Sequence, residues 1–193
     1  MRRLLLVRHA PTSATRTFAF PAEEPLDERG EAAAAALRAA LPGRAEVICS
    51  PSLRCLQTAE AAGLDTPSVQ DELRECDFGS WAGRTLSELS PAETGAWMSD
   101  PEARPHGGES LRAFAARVAA WLDGQAGLDG SAVAITHGGV VKAAVVHALG
   151  APIESFWRVD VAPLAITELH AHDGRWTVTR VNAGVGERVT STA

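Results

Sequence analysis

Four short apolar runs, each followed closely by arginine, histidine or glutamate, constrain this chain more than anything else in it. Leu4-Leu5-Leu6-Val7 runs into Arg8-His9, and Val47-Ile48-Cys49 into Ser50-Pro51-Ser52-Leu53-Arg54. Val69 to Leu73 leads to Arg74-Glu75, and Ala132 to Ile135 to Thr136-His137-Gly138-Gly139. Runs of this length suit buried strands, and the segments between them have helical spacing. Strands alternating with helices predict an α/β fold, a three-layer α/β/α sandwich with a mostly parallel sheet. Ligands of such sheets sit beyond the carboxyl ends of the strands. The polar residues that end the four runs are therefore expected to meet.

The first strand is expected at about 3–7, followed by a polar loop over 10–25. Asp27 can cap a helix over about 28–41, which Pro42-Gly43 stops. A strand near 45–49 meets Ser50 as N-cap and Pro51 at the first helical position, where proline fits; that helix ends at Gly63. An extended piece over 67–73 carries Glu75 past its end. The stretch 77–109, rich in glycine and proline, is irregular, with one or two short helices and a lid or specificity role. Ser110 opens an amphipathic helix in which Leu111, Phe114, Val118, Trp121 and Leu122 recur every three or four residues. Strand 132–136 and helix 139–149 form the last β–α unit. Two strands, about 159–169 and 175–182, meet across Asp173-Gly174, a hairpin signal, and supply an antiparallel edge. Residues 183–193 read as a loose tail, and the 193 residues as one domain.

Composition narrows the function. The net charge of −6 argues against a broad nucleic-acid-binding face. No apolar stretch approaches the roughly 20 residues of a membrane span. The apolar stretch that follows Met1-Arg2-Arg3 stops at Arg8, too short for a secretory core of about 7–15 residues. The expected location is the cytoplasm. Cys49, Cys55 and Cys76 form no C-x-x-C pair and suggest neither disulfides nor zinc. No metal and no cofactor is expected. Seventeen arginines accompany a single lysine, Lys142, which reads as compositional bias.

The chemistry lies in the residues that end the strands. A neutral imidazole at His9 can attack phosphorus and carry the phosphoryl group, so one hard displacement becomes two easier ones. Arg8 and Arg54 offer paired donors that match phosphate oxygens. Arg54, in the first turn of its helix, would lean back over the strand end, where free amide groups also favour an anion. His137 can donate to a non-bridging oxygen, and Gly138 lets backbone approach the ligand. Glu75 can protonate the leaving alkoxide and later take a proton from water; Asp77 and Glu72 are its rivals, and a salt bridge with Arg74 or Arg84 is its alternative use. Thr12 and Thr15 can bind phosphate or cap a turn. Glu109 and Ser110 can close the pocket, Ser110 equally starting a helix. Arg16, Phe18, Phe20, Trp81, Trp97 and Arg104 are candidates to contact a leaving group. His106, His147, His170 and His172 read as structural.

Together Leu6-Val7-Arg8-His9-Ala10, Ser50-Pro51-Ser52-Leu53-Arg54 with Gln57-Thr58-Ala59, Leu73 to Gly79, Gly108-Glu109-Ser110 and Thr136-His137-Gly138-Gly139 resemble the histidine phosphatase superfamily, in its phosphoglycerate mutase-like branch. The resemblance runs in order from residue 3 to about 150. It implies a phosphohistidine on His9, a phosphate pocket from Arg8, Arg54 and His137, a proton donor at Glu75, and no metal. Ala10 stands where the family usually has glycine, and Thr15 where it often has asparagine. The favoured function is hydrolysis of phosphate monoesters of small metabolites. The alternatives are a mutase-type phosphoryl transfer, for which 77–109 leaves little room, and a non-catalytic phosphate-binding regulator. Resemblance extends equally to α-ribazole phosphatases and to broad-specificity sugar-phosphate phosphatases. The oligomeric state stays open, a homodimer included.

Overall fold

A computed structural model describes residues 1–186. The first half alternates β1 (Arg2–Arg8), α1 (Ser13–Thr17), α2 (Glu28–Ala35), β2 (Glu46–Cys49), α3 (Leu53–Ala61) and β3 (Ser68–Val69). The second half continues with α4 (Pro91–Ser99), α5 (Leu111–Ala126), β4 (Gly130–Thr136), α6 (Gly138–Ala148), β5 (Ile166–His172) and β6 (Arg175–Ala183).

The six strands form one sheet in the order β3-β2-β4-β1-β5-β6. The first four are mutually parallel, and the terminal hairpin adds two antiparallel strands. Strand alternation divides the core. Leu4, Leu6, Ala132 and Ala134 face α4, α5 and α6, while Leu5, Val7, Val133 and Ile135 face α2 and α3. The sheet is therefore covered on both sides, as the apolar runs require. Each fully buried leucine or phenylalanine contributes roughly 1.5–3 kcal/mol. Asp173 and Gly174, both at positive φ, make the tight turn that matches strand twist.

Several boundaries moved. Helix 28–41 is α only to Ala35 and then a tighter 3₁₀ turn over Ala36–Ala40. The N-cap of α3 is Ser52, so Ser50 and Pro51 lie before the helix. The extended piece 67–73 reduces to two paired residues and a 3₁₀ turn, Asp71–Leu73. The strand expected from 159 begins at Ile166, after a 3₁₀ stretch, Ile153–Arg158, and a loop. Segment 77–109 contains α4 and two 3₁₀ turns, Gly79–Trp81 and Leu86–Glu88. Phe78, Trp81, Trp97 and His106 interlock there edge to face, with ring centroids 4.7–6.2 Å apart. The expected tail begins inside β6, at Ala183, and residues 187–193 of it lie outside the described residues.

Candidate active site

The sheet brings the ends of β1, β2 and β4 together because β4 lies between the other two. Pairing continues past the strands: His9 N–H donates to the Thr136 carbonyl at 2.8 Å, and Ser50 N–H to that of Ile135 at 2.9 Å. His9, Ser50 and His137 are thus set side by side, all buried.

Arg54 joins the two histidines. Its Nε–H points at His9 Nε2 at 3.2 Å, and its Nη2–H at His137 Nδ1 at 3.1 Å. The imidazoles lie edge to face with centroids 5.3 Å apart. His9 Nδ1 lies 2.8 Å from the carbonyl of Ala10, which assigns the proton to that nitrogen and a lone pair to Nε2. The same reasoning places the His137 proton on Nε2, 2.8 Å from Ser50 Oγ. Burial first, and then the Arg54 guanidinium, pushes His9 down to about 3 and His137 well below its ordinary value. Both imidazoles are neutral at ordinary pH.

Glu75 approaches from the far side of β4. Thr136 Oγ donates to the Leu73 carbonyl at 2.8 Å, which fixes the turn before it. The Glu75 carboxylate accepts from Gly139 N–H at 3.1 Å and from Cys76 N–H at 3.0 Å. It makes no ion pair with Arg74, which reaches Asp71, or with Arg84, which binds the Glu88 carbonyl. Three cavities of about 370, 280 and 220 Å³ meet here, and Glu75 lines all of them. Asp77 lines one but is tied to Gly79 N–H, and the exposed Glu72 lines none.

Arg8 borders the cavity that holds His9 and the aromatic one beside it. It donates from Nη1 to the Val161 carbonyl at 2.6 Å, and Gly138 packs against its guanidinium. Thr12 is not brought to the histidines. It is buried, accepts from Thr15 N–H as the cap of α1, and reaches Glu24 Oε1 at 3.2 Å. Thr15 lines the cavity that holds His9. The amide expected to be free at the start of α3 is taken, Leu53 N–H donating to Glu23 Oε1 at 2.5 Å.

Glu109 pairs with Arg117 and does not close the pocket, and Ser110 caps α5. Phe18, Phe20 and Trp97 line cavities; Trp81 is sealed in the core, Arg16 holds Asp27 and Arg104 faces solvent. His106 is buried among the aromatic rings, and His147, His170 and His172 each face a carboxylate. Burial pushes the thiol of Cys49 up to about 12 and that of Cys55 well above its ordinary value, so neither supplies a thiolate. Among the described residues no group of three or more His, Cys, Asp or Glu side chains is placed to hold a metal ion. No helix among them is long and apolar enough to cross a membrane.

Sequence reasoning missed four contributors. Ser50 orients His137 and gives no local signal beyond Ser-Pro. Arg117, on α5, grips the chain beneath Glu75, donating to the carbonyls of Glu72 and Arg74 at 2.7 and 3.1 Å. Phe156 reaches the site from the 3₁₀ stretch Ile153–Arg158, and Asp160 from the segment read as part of a strand.

The chain is 35% identical to a bifunctional protein of Mycobacterium tuberculosis over 93% of its own length, but spans only 53% of that relative. It is 32% identical to a glucosyl-3-phosphoglycerate phosphatase of Mycolicibacterium vanbaalenii, over 81% of this chain and 78% of that one. The solved structure of a mycobacterial glucosyl-3-phosphoglycerate phosphatase, complexed with VO3, superimposes with a TM-score of 0.81. That match has 27% identity over 95% of this chain and all of the other. The sequence profile of the histidine phosphatase superfamily, branch 1, matches residues 4–184, and with the paired histidines at the strand ends it shows that the chain belongs to that family.

Proposed function

We propose that the protein is a phosphatase that hydrolyses phosphate monoesters of small metabolites through a phosphohistidine on His9, without a metal. The observation that carries this reading is the shared Arg54. One guanidinium joins two buried, neutral imidazoles, and the lone pair of His9 Nε2 points at it. An incoming phosphoryl group replaces the imidazoles as the acceptor of those donors and comes within reach of Nε2. Arg8 adds a second cation and with Arg54 stabilises charge on the equatorial oxygens, and His137 joins them once it carries a proton on Nδ1, the nitrogen that faces Arg54.

In the first step His9 Nε2 forms a bond to phosphorus as the ester P–O bond breaks, and Glu75 gives its proton to the departing oxygen. In the second, water attacks the phosphohistidine, Glu75 takes a proton back, and the imidazole leaves as phosphate forms. Relatives with phosphatase names support the reading, and the VO3 complex of one supports a pocket for a five-coordinate phosphorus.

The test is to mix the protein with labelled ester in the absence of added metal and quench it. The expected result is an acid-labile, base-stable phosphoryl group on His9, absent from His9→Ala. Label on serine or aspartate, or activity that requires magnesium, overturns the reading.

A further inference from the structure

The smallest of the three cavities, about 220 Å³, lies on the α6 side of Glu75. Phe20, Phe78, Trp97, Phe114, Phe156 and Trp157 wall it. Four charged residues reach it: Arg8, Glu75, Lys142 and Asp160. Three of them have partners in the protein. Arg8 donates to the Val161 carbonyl, Glu75 holds the amides of Gly139 and Cys76, and Asp160 accepts from Val161 N–H at 2.9 Å while facing Arg8.

Lys142 differs. It makes no hydrogen bond or ion pair among the described residues, and its Nζ rests 5.5 Å from the centre of the Phe156 ring. It is half-buried and lies one helical turn beyond Gly138 and Gly139. Positions three and four residues apart share a helix face, so Lys142 lies on the same face as Gly138 and Gly139, against which Arg8 and Glu75 pack.

A half-buried ammonium without a counter-ion has lost hydration, and an aromatic ring returns only part of it. A ligand anion would supply the remainder. The cavity, of about 220 Å³, has room for such a group beside its aromatic wall.

We propose that this chamber is the leaving-group subsite and that Lys142 receives a second anionic group on the alcohol being released. The substrate class is then a phosphomonoester that carries a carboxylate or a second phosphate beside an apolar face. The proposal rests on the phosphatase reading above and adds the chemistry of the leaving group.

Two matched pairs test it. 3-Phosphoglycerate is compared with glycerol 3-phosphate, in which a hydroxymethyl group replaces the carboxylate, and propane-1,3-diol bisphosphate with its monophosphate. The wild-type protein should prefer the charged member of at least one pair by about tenfold or more in kcat/KM, the scale of a charge-assisted contact. The pair that shows the preference identifies the anion. Lys142→Met should bring that ratio close to one, and Lys142→Arg should keep most of it, with Tm recorded for both. Wild-type turnover without a preference, or a preference that survives in Lys142→Met, overturns the proposal and leaves the phosphatase reading intact. Absence of turnover with every ester removes both.

Discussion

Gly139 N–H donates to Glu75 Oε2 at 3.1 Å, and a β-carbon on Gly139 would collide with the other oxygen of the same carboxylate. The bare helical turn is the seat of the carboxyl group. Gly139 lies in the first turn of α6 with ordinary helical backbone, so alanine there adds no φ strain. Gly139→Ala should therefore separate stability from chemistry. Tm should hold while turnover of alkyl phosphates falls by about 10²–10⁴, the usual worth of a general acid or base. Unchanged turnover would show that the position of Glu75 is immaterial.

Glu75→Gln predicts a pattern across substrates. The variant keeps shape and loses the proton. An alkoxide needs that proton to leave, whereas p-nitrophenolate departs readily without it. The burst phase should therefore drop far more for an alkyl phosphate than for p-nitrophenyl phosphate. Equal losses for the two esters would move the acid role to Asp77, which lines the same cleft.

Arg117 holds the strand of chain that bears Glu75. It binds Glu109 through two nitrogens, at 3.0 and 2.7 Å, and reaches three loop carbonyls, of Glu72, Arg74 and Glu75. Arg117→Ala releases groups that water can partly satisfy, a cost of about 0.5–1.5 kcal/mol. For a chain of this size that lowers Tm by roughly 1–6 °C. If the arginine also positions Glu75, the variant should show the same leaving-group dependence as Glu75→Gln, which a purely structural loss would not produce.

The two histidines make stability depend on pH. Their folded values lie below the unfolded value near 6.5, so the unfolded chain binds more protons in the window between. Their contribution is fully present above pH 6.5 and is lost as pH falls toward about 3 for His9. Each adds a slope of up to about 1.4 kcal/mol per pH unit in that window. His9→Gln should reduce the fall in Tm between pH 7 and pH 4.5. An unchanged fall would show that His9 is already charged in the folded protein.

Much of this was legible because it is local. The apolar runs of β1 and β4 announce buried strands, and a residue that ends a strand in a parallel sheet has a fixed destination. His9 and His137 followed from that rule. Partnership was not legible. Ser50 looked like a helix cap, yet the helix waits until Ser52 and the freed hydroxyl turns to His137. Thr12 looked able to bind phosphate, but its hydroxyl is spent on a cap and on Glu24. Residues 159–165 had the composition of a strand. Leu164 adopts positive φ there, and the segment breaks to hand the Val161 carbonyl to Arg8. Arg117 and Lys142 gave no signal, since a lone cation on a helix reads as surface until the fold shows what it touches.

The Arg54 bridge also bears on how His9 can be approached. The guanidinium donates to the His9 nitrogen proposed to attack, and the other nitrogen faces the carbonyl of Ala10 in its own chain. The imidazole is capped at both ends. On the proposed chemistry, a phosphoryl group that draws Arg54 away is also the one His9 attacks, so the proposed nucleophile would be unmasked by its own target.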